Sequence, residues 1–158
     1  MNSAMGSRHS IWEDLLEDTS FGLIAIHSSL EDYALAYALN AHCGIRLKRM
    51  HDDLLLGESA AFSVYQWKDQ KHFRDWTLMV NPGTVEEAAS DGGGLFSSTP
   101  SSRRVYLIPE RKEVDFFLKI DGGEPEEPIL PKVLAVPKVQ TAYRLEAAEL
   151  KSKHNLIF

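Results

Sequence analysis

Hydrophobic positions along the chain fall into short runs with two different periods. FGLIAIH, Phe21 to His27, is apolar on both faces, as in a strand from the middle of a sheet. Ser29, with Asp32 three residues later, predicts the start of a helix. From there Leu30, Tyr33, Ala34, Tyr37, Ala38 and Ala41 recur at helical spacing and predict one apolar helix face. Gly44 stands where such a helix stops, and Ile45 and Leu47 then alternate with Arg46 and Lys48. The segment from Phe21 to Arg49 therefore reads as strand, helix, strand.

Beyond the Asp52-Asp53 turn the period is two. AAFSVYQW (Ala60 to Trp67) and FRDWTLMV (Phe73 to Val80) read as paired strands, with KDQK, Lys68 to Lys71, as the hairpin loop. Phe62 and Val64 share a face of the first; Trp76, Leu78 and Val80 share a face of the second. VYLI, Val105 to Ile108, resumes the β pattern, and Pro109 interrupts it by removing a donor. Val114, Phe116, Leu118 and Ile120 then alternate against Asp115, Phe117 and Lys119. Ile129, Leu130, Val133, Leu134 and Pro137 form a short helical face, with Pro131 tolerable in its first turn. Val139, Thr141, Tyr143 and Leu145 alternate as a last strand, followed by at most a short helical turn from Ala147.

This order predicts an α+β fold: a mainly antiparallel sheet with two helices on one face, ferredoxin-like with extra strands. The alternative is a sheet whose extra strands curl partway into a barrel. Residues 1–20 read as a flexible tail, in which Ile11, Trp12, Leu15 and Leu16 approach helical spacing over a length too short to stand alone. Residues 21–158 read as one domain, with a flexible Gly/Ser-rich loop over 90–102.

Composition narrows this only a little. With 158 residues and 44% hydrophobic content, the chain buries a core without a disulfide or metal staple, and Cys43 alone cannot bridge. The net charge of −6 disfavours nonspecific attraction to nucleic acid or to an anionic membrane. No apolar run reaches membrane-helix length, and the first ten residues lack the apolar stretch of a secretory signal. With the lone thiol, these features lead to the expectation of a cytoplasmic protein.

Candidate chemistry centres on LIPERKEVDFFLKI, Leu107 to Ile120. Pro109 ends one extended run, and Glu110 and Asp115 are either a paired acidic site or a turn acceptor and an ordinary acid. "IPE", three residues, then "VDF" resembles the signature of the IPExxxVDY family, small uncharacterised bacterial proteins found mainly in the Bacteroidota. Phe116 stands where that signature has Tyr, so packing survives at this ring and a hydroxyl role does not. FGLIAIHSSLEDYALAYALN and VPKVQTAYRLEAAELKSKHNLIF are also similar to the family, which brings no activity with it.

His27, at a strand end beside Ser28 and Ser29, sits where small ligands bind in open sheets. The other histidines lack metal-motif spacing, so no metal or cofactor is expected. Cys43, near a helix C-terminus, is not an activated thiol. Arg103, Arg104, Arg111 and Lys112 flank one strand and offer at most a local basic patch. The function expected is a non-catalytic ligand- or partner-binding module that pairs as a homodimer through exposed sheet edges. The alternative is an enzyme using Glu110 and Asp115 near His27.

Overall fold

The computed structural model describes residues 21–56, 60–87, 101–123 and 125–158. The reading of residues 1–20 as a tail, and of the Gly/Ser-rich stretch up to Pro100, lies outside these.

Ten strands occur among the described residues: β1 (Gly22–Ser28), β2 (Lys48–Arg49), β3 (Leu54–Leu56), β4 (Ala60–Phe62), β5 (Val64–Asp69), β6 (Arg74–Val80), β7 (Pro82–Glu87), β8 (Ser101–Tyr106), β9 (Phe116–Asp121) and β10 (Val139–Leu145). Two α-helices accompany them, α1 (Asp32–Cys43) and α2 (Ile129–Leu134). The large sheet has the order β10-β1-β9-β6-β5-β2, and a four-stranded sheet has the order β3-β4-β7-β8. Every neighbouring pair is antiparallel. The fold is thus α+β with antiparallel sheets and two helices. The extra strands are shared between the two sheets. One residue, Ser63, separates β4 from β5, and Asn81 alone separates β6 from β7, so the chain changes sheets at these two corners.

The large sheet is covered on both faces. Ile24, Ile26, Leu78, Leu118 and Ile120 pack with α1 and α2 in one apolar cluster. Leu23, Ala25, Met79 and Phe117 face the other way, into a cluster with Phe62, Leu107, Ile108, Val114, Leu150 and Leu156. That double covering explains why β1 is apolar throughout. It also corrects the expectation for β9: Phe117 is fully buried, and even Lys119 is only 5% exposed. The Lys119 ammonium donates to the Leu156 carbonyl at 2.6 Å and lies 4.8 Å from the ring centroids of both Phe21 and Phe158. A buried cation needs such partners.

α1 presents a different stripe from the one its pattern suggested. Leu35, Ala36, Leu39 and Cys43 are buried, while Tyr33 and Tyr37 are 67% and 77% exposed. The sequence YALAYAL is apolar almost all round; burying the two leucines removes pure hydrocarbon from water and leaves each phenol hydroxyl solvated. Its N-cap is Glu31, without a side-chain cap bond, and Ser29 is exposed. Ser28 instead accepts the Leu30 N–H on its hydroxyl and donates that hydroxyl to the Lys138 carbonyl. In α2, Ile129 and Val133 are buried as expected, but Leu134 and Pro137 are exposed and Val136 takes the inner position. No helix among the described residues is long and apolar enough to cross a membrane.

Candidate functional site

Two regions at opposite ends of β6 and β9 collect polar side chains. At one end Val80 pairs with Phe116; at the other Asp75 pairs with Asp121.

The first end holds the IPERKEVDF segment. Its hub is Asn81, a fully buried residue that sequence reading passed over. The Asn81 side-chain amide donates to the carbonyls of Arg111 and Val114, both at 2.8 Å, and its oxygen accepts the Ile108 N–H at 2.9 Å. Its backbone N–H donates to the Asp115 carbonyl, and its own carbonyl accepts from Leu107. An Asn before Pro-Gly looks like turn chemistry; here the same donor and acceptor groups satisfy a buried loop from inside.

The motif residues surround this hub with separate tasks. Pro109 opens a single 3-10 turn, Pro109–Arg111. Glu110 accepts from both the backbone N–H and the hydroxyl of Ser152, each at 3.0 Å, tying down the C-terminal segment. Asn155 adds a bond from its amide to the Leu107 carbonyl at 2.8 Å. Asp115 accepts the Ser28 N–H at 3.0 Å, beside the register shift in β1 between His27 and Ser28. Phe116 packs in the helix-side core.

Asp115 and Phe116 line a cleft of about 340 Å³ together with Ser28, Leu30, Glu31 and Asp32. Glu110, His27 and Ser29 are not among its walls. The two motif carboxylates therefore serve different neighbours, Ser152 and Ser28. Across from Asp32, burial and then the hydrogen bond to that carboxylate push the Tyr65 phenol up to about 12.

His27 lies on the other face of β1, where its Nε2 meets the Tyr143 hydroxyl at 2.9 Å with the rings 5.4 Å apart. Burial, then the nearby Glu113 carboxylate, raises the Tyr143 phenol above its ordinary range, opposed by Arg111. His27, expected at a ligand-binding strand end, is thus engaged by a side chain on the face away from the cleft.

The second end was not singled out from the sequence. Trp67 and Trp76 are directly opposite each other in the β5–β6 hairpin and stack at 24° with centroids 6.3 Å apart. Asp69 and Arg74 form the next cross-strand pair on the same face. With the end of α1 (Cys43 to Ile45), the turn at Pro125 to Glu127, and Ile129 and Lys132 of α2, they enclose a cavity of about 340 Å³.

The polar groups of this cavity are ordered by short contacts. Asp69, largely buried, accepts the His72 N–H on one oxygen at 3.4 Å and meets His72 Nδ1 with the other at 2.7 Å. Arg74 Nε donates to the Gly123 carbonyl at 3.2 Å. Lys132 pairs with Glu127 at 2.7 Å, which raises the lysine and lowers the glutamate. Burial pushes the Cys43 thiol up to about 11, against the opposing pull of Lys132, so it stays protonated at neutral pH.

Trp76 carries the feature that sets this end apart. It is 4% exposed, and its indole N–H has no hydrogen-bond partner. Among the described residues the other buried side-chain nitrogen without one is Arg111 Nε. An arginine has four further N–H groups, whereas the indole has one, so for Trp76 the entire polar function is unmet.

No three His, Cys, Asp or Glu side chains among the described residues converge as a metal ion would require. Compared with protein-family models, curated proteins and solved structures, the chain matches none of them.

Proposed function

We propose that this protein is a non-catalytic binding module whose ligand site is the tryptophan-lined cavity between the β5–β6 hairpin, the end of α1 and the start of α2. The observation that carries this reading is the stacked Trp67–Trp76 pair lining a cavity of ligand size, with the Trp76 indole N–H buried and unpartnered. An unmet buried donor costs roughly 1–3 kcal/mol, and ligand pockets combine an apolar lining with a few such polar groups. The protonated Cys43 thiol supports binding over nucleophilic chemistry.

Two coarser expectations stay attached to the proposal. The IPExxxVDF residues support membership of the IPExxxVDY family, with the motif acting as a structural clasp. The ferredoxin-like reading is supported by β9, α2 and β10, which cross over so that β1 lies between β9 and β10; β2, following α1, stands at the far edge of the sheet. A cytoplasmic, homodimeric protein completes the reading. It draws on the free Cys43 and on the exposed Tyr33 and Tyr37, and sedimentation showing a strict monomer at high concentration counts against the dimer.

The test is a thermal-shift screen of the full chain against small molecules, repeated on Trp67→Ala. A ligand at a hundred times its Kd adds about 2.7 kcal/mol, or roughly 5–10 °C for a chain of this size. Hits that stabilise the wild type and lose their effect in Trp67→Ala support the site. Hits that survive the substitution unchanged place binding elsewhere.

A further inference from the structure

Hydrogen-bonding capacity in the tryptophan cavity is unequally spent. Each Asp69 oxygen already takes one contact from His72. Glu127 pairs with Lys132, is 78% exposed and belongs to the rim, where water competes for it. Glu126 is likewise exposed. On the donor side, an ammonium has three N–H groups and Lys132 commits one of them to Glu127. The Trp76 N–H commits none. Donors therefore remain uncommitted on residues that line the same cavity as the stacked indole pair.

Resting on the ligand site proposed above, we infer that this cavity takes a planar aromatic carboxylate, its ring laid against the Trp67–Trp76 pair and its carboxylate held by Lys132. Ring stacking supplies contact area at little entropic cost. The carboxylate gives Lys132 a charge-assisted bond away from the rim, with Glu127 free to turn to solvent. An amine of the same shape finds carboxylates that are already engaged, Asp69 by His72 and Glu127 by Lys132, or exposed to water, as Glu126 is.

Calorimetry on the full chain with four probes separates the ideas: 2-naphthoate, 2-naphthamide, 2-naphthylmethylamine and cyclohexanecarboxylate. The expected order has 2-naphthoate tightest, with the amide and the saturated acid each weaker by about tenfold. Lys132→Gln should weaken the acid far more than the amide and so narrow the difference between them. Binding of the amide or the amine as tightly as the acid, still abolished by Trp67→Leu, overturns the ligand class and leaves the site standing. No binding of any probe at millimolar concentration, or binding indifferent to Trp67→Leu, overturns the site together with the class.

Discussion

The two ends of the β6–β9 pair use polar groups in opposite ways. At the motif end, the Asn81 side chain bonds three backbone groups, Glu110 and Asp115 each hold a neighbouring segment, and among the described residues only the Arg111 Nε, one of five N–H groups on its guanidinium, is buried there without a partner. At the tryptophan end, a buried N–H has no partner and an ion pair stands at the rim. A satisfied network fixes one conformation, whereas an unmet donor lowers stability and is retained where something else meets it. The segment most conspicuous in sequence is therefore the scaffold, and the inconspicuous hairpin is the place to look for a ligand.

The most severe way to break this contrast is Asn81→Ala. It strands the Ile108 N–H and the carbonyls of Arg111 and Val114 inside the protein. The expected loss is about 3–5 kcal/mol in urea denaturation. A loss under about 1 kcal/mol would remove the motif from its structural role.

Alkaline pH probes the tryptophan end. The Cys43 thiol ionises near 9.0 when unperturbed and near about 11 in the folded protein. Between those values the unfolded chain has given up a proton that the native state keeps. Stability is therefore full below pH 9 and declines as pH rises towards 11, by at most about 2–3 kcal/mol for a shift of this size. Urea midpoints across this range should fall in the wild type and less steeply in Cys43→Ala; equal slopes would show that the thiol is not sequestered. Native Cys43 should also react slowly with thiol reagents.

Glu110→Ala should cost about 1–2 kcal/mol, because the Ser152 N–H and hydroxyl lose their acceptor. The effect should be local, with amide exchange accelerating in Leu150 to Ile157 and Glu110→Gln recovering part of it. Uniform acceleration through the sheet would contradict a clasp that acts on one segment. Asp115→Asn should be the mildest, at about 1 kcal/mol or less, since the amide oxygen still accepts the Ser28 N–H. If it instead abolishes ligand binding that Trp67→Ala leaves intact, the assignments of the two ends are reversed.

Much of the fold was legible because period-two alternation survives wherever a strand has distinct faces. Phe62 and Val64 do share one cluster, Trp76 and Leu78 the other, with Val80 packed against it. β10 occupies Val139–Leu145 as read, with a 3-10 turn at Ala147–Glu149. The misses have specific causes. β3 is three residues long, and β7 begins with Pro-Gly, a pair that signals a turn. Gly83 there tolerates no side chain, since a Cβ would sit 2.7 Å from the Phe62 ring. The α1 face was ambiguous because both of its stripes are apolar. The cavity was hidden by register: with the loop at Lys68 to Lys71, Trp67 falls beside the turn. The true hairpin pairs Asp69 with Arg74 and so brings Trp67 opposite Trp76. A shift of two residues in a loop boundary decides whether that site exists on paper.

The central claim, that ligand binds at the tryptophan end while the motif end remains scaffold, is tested most directly by following indole and backbone N–H resonances during a titration with 2-naphthoate. The account predicts that the Trp76 indole N–H moves on saturation, together with the amides of Trp67, His72 and Ile129, while Ser28, Asn81 and Asp115 stay in place. A stationary Trp76 indole signal, with the changes gathered around Ser28 and Asp115, would contradict it.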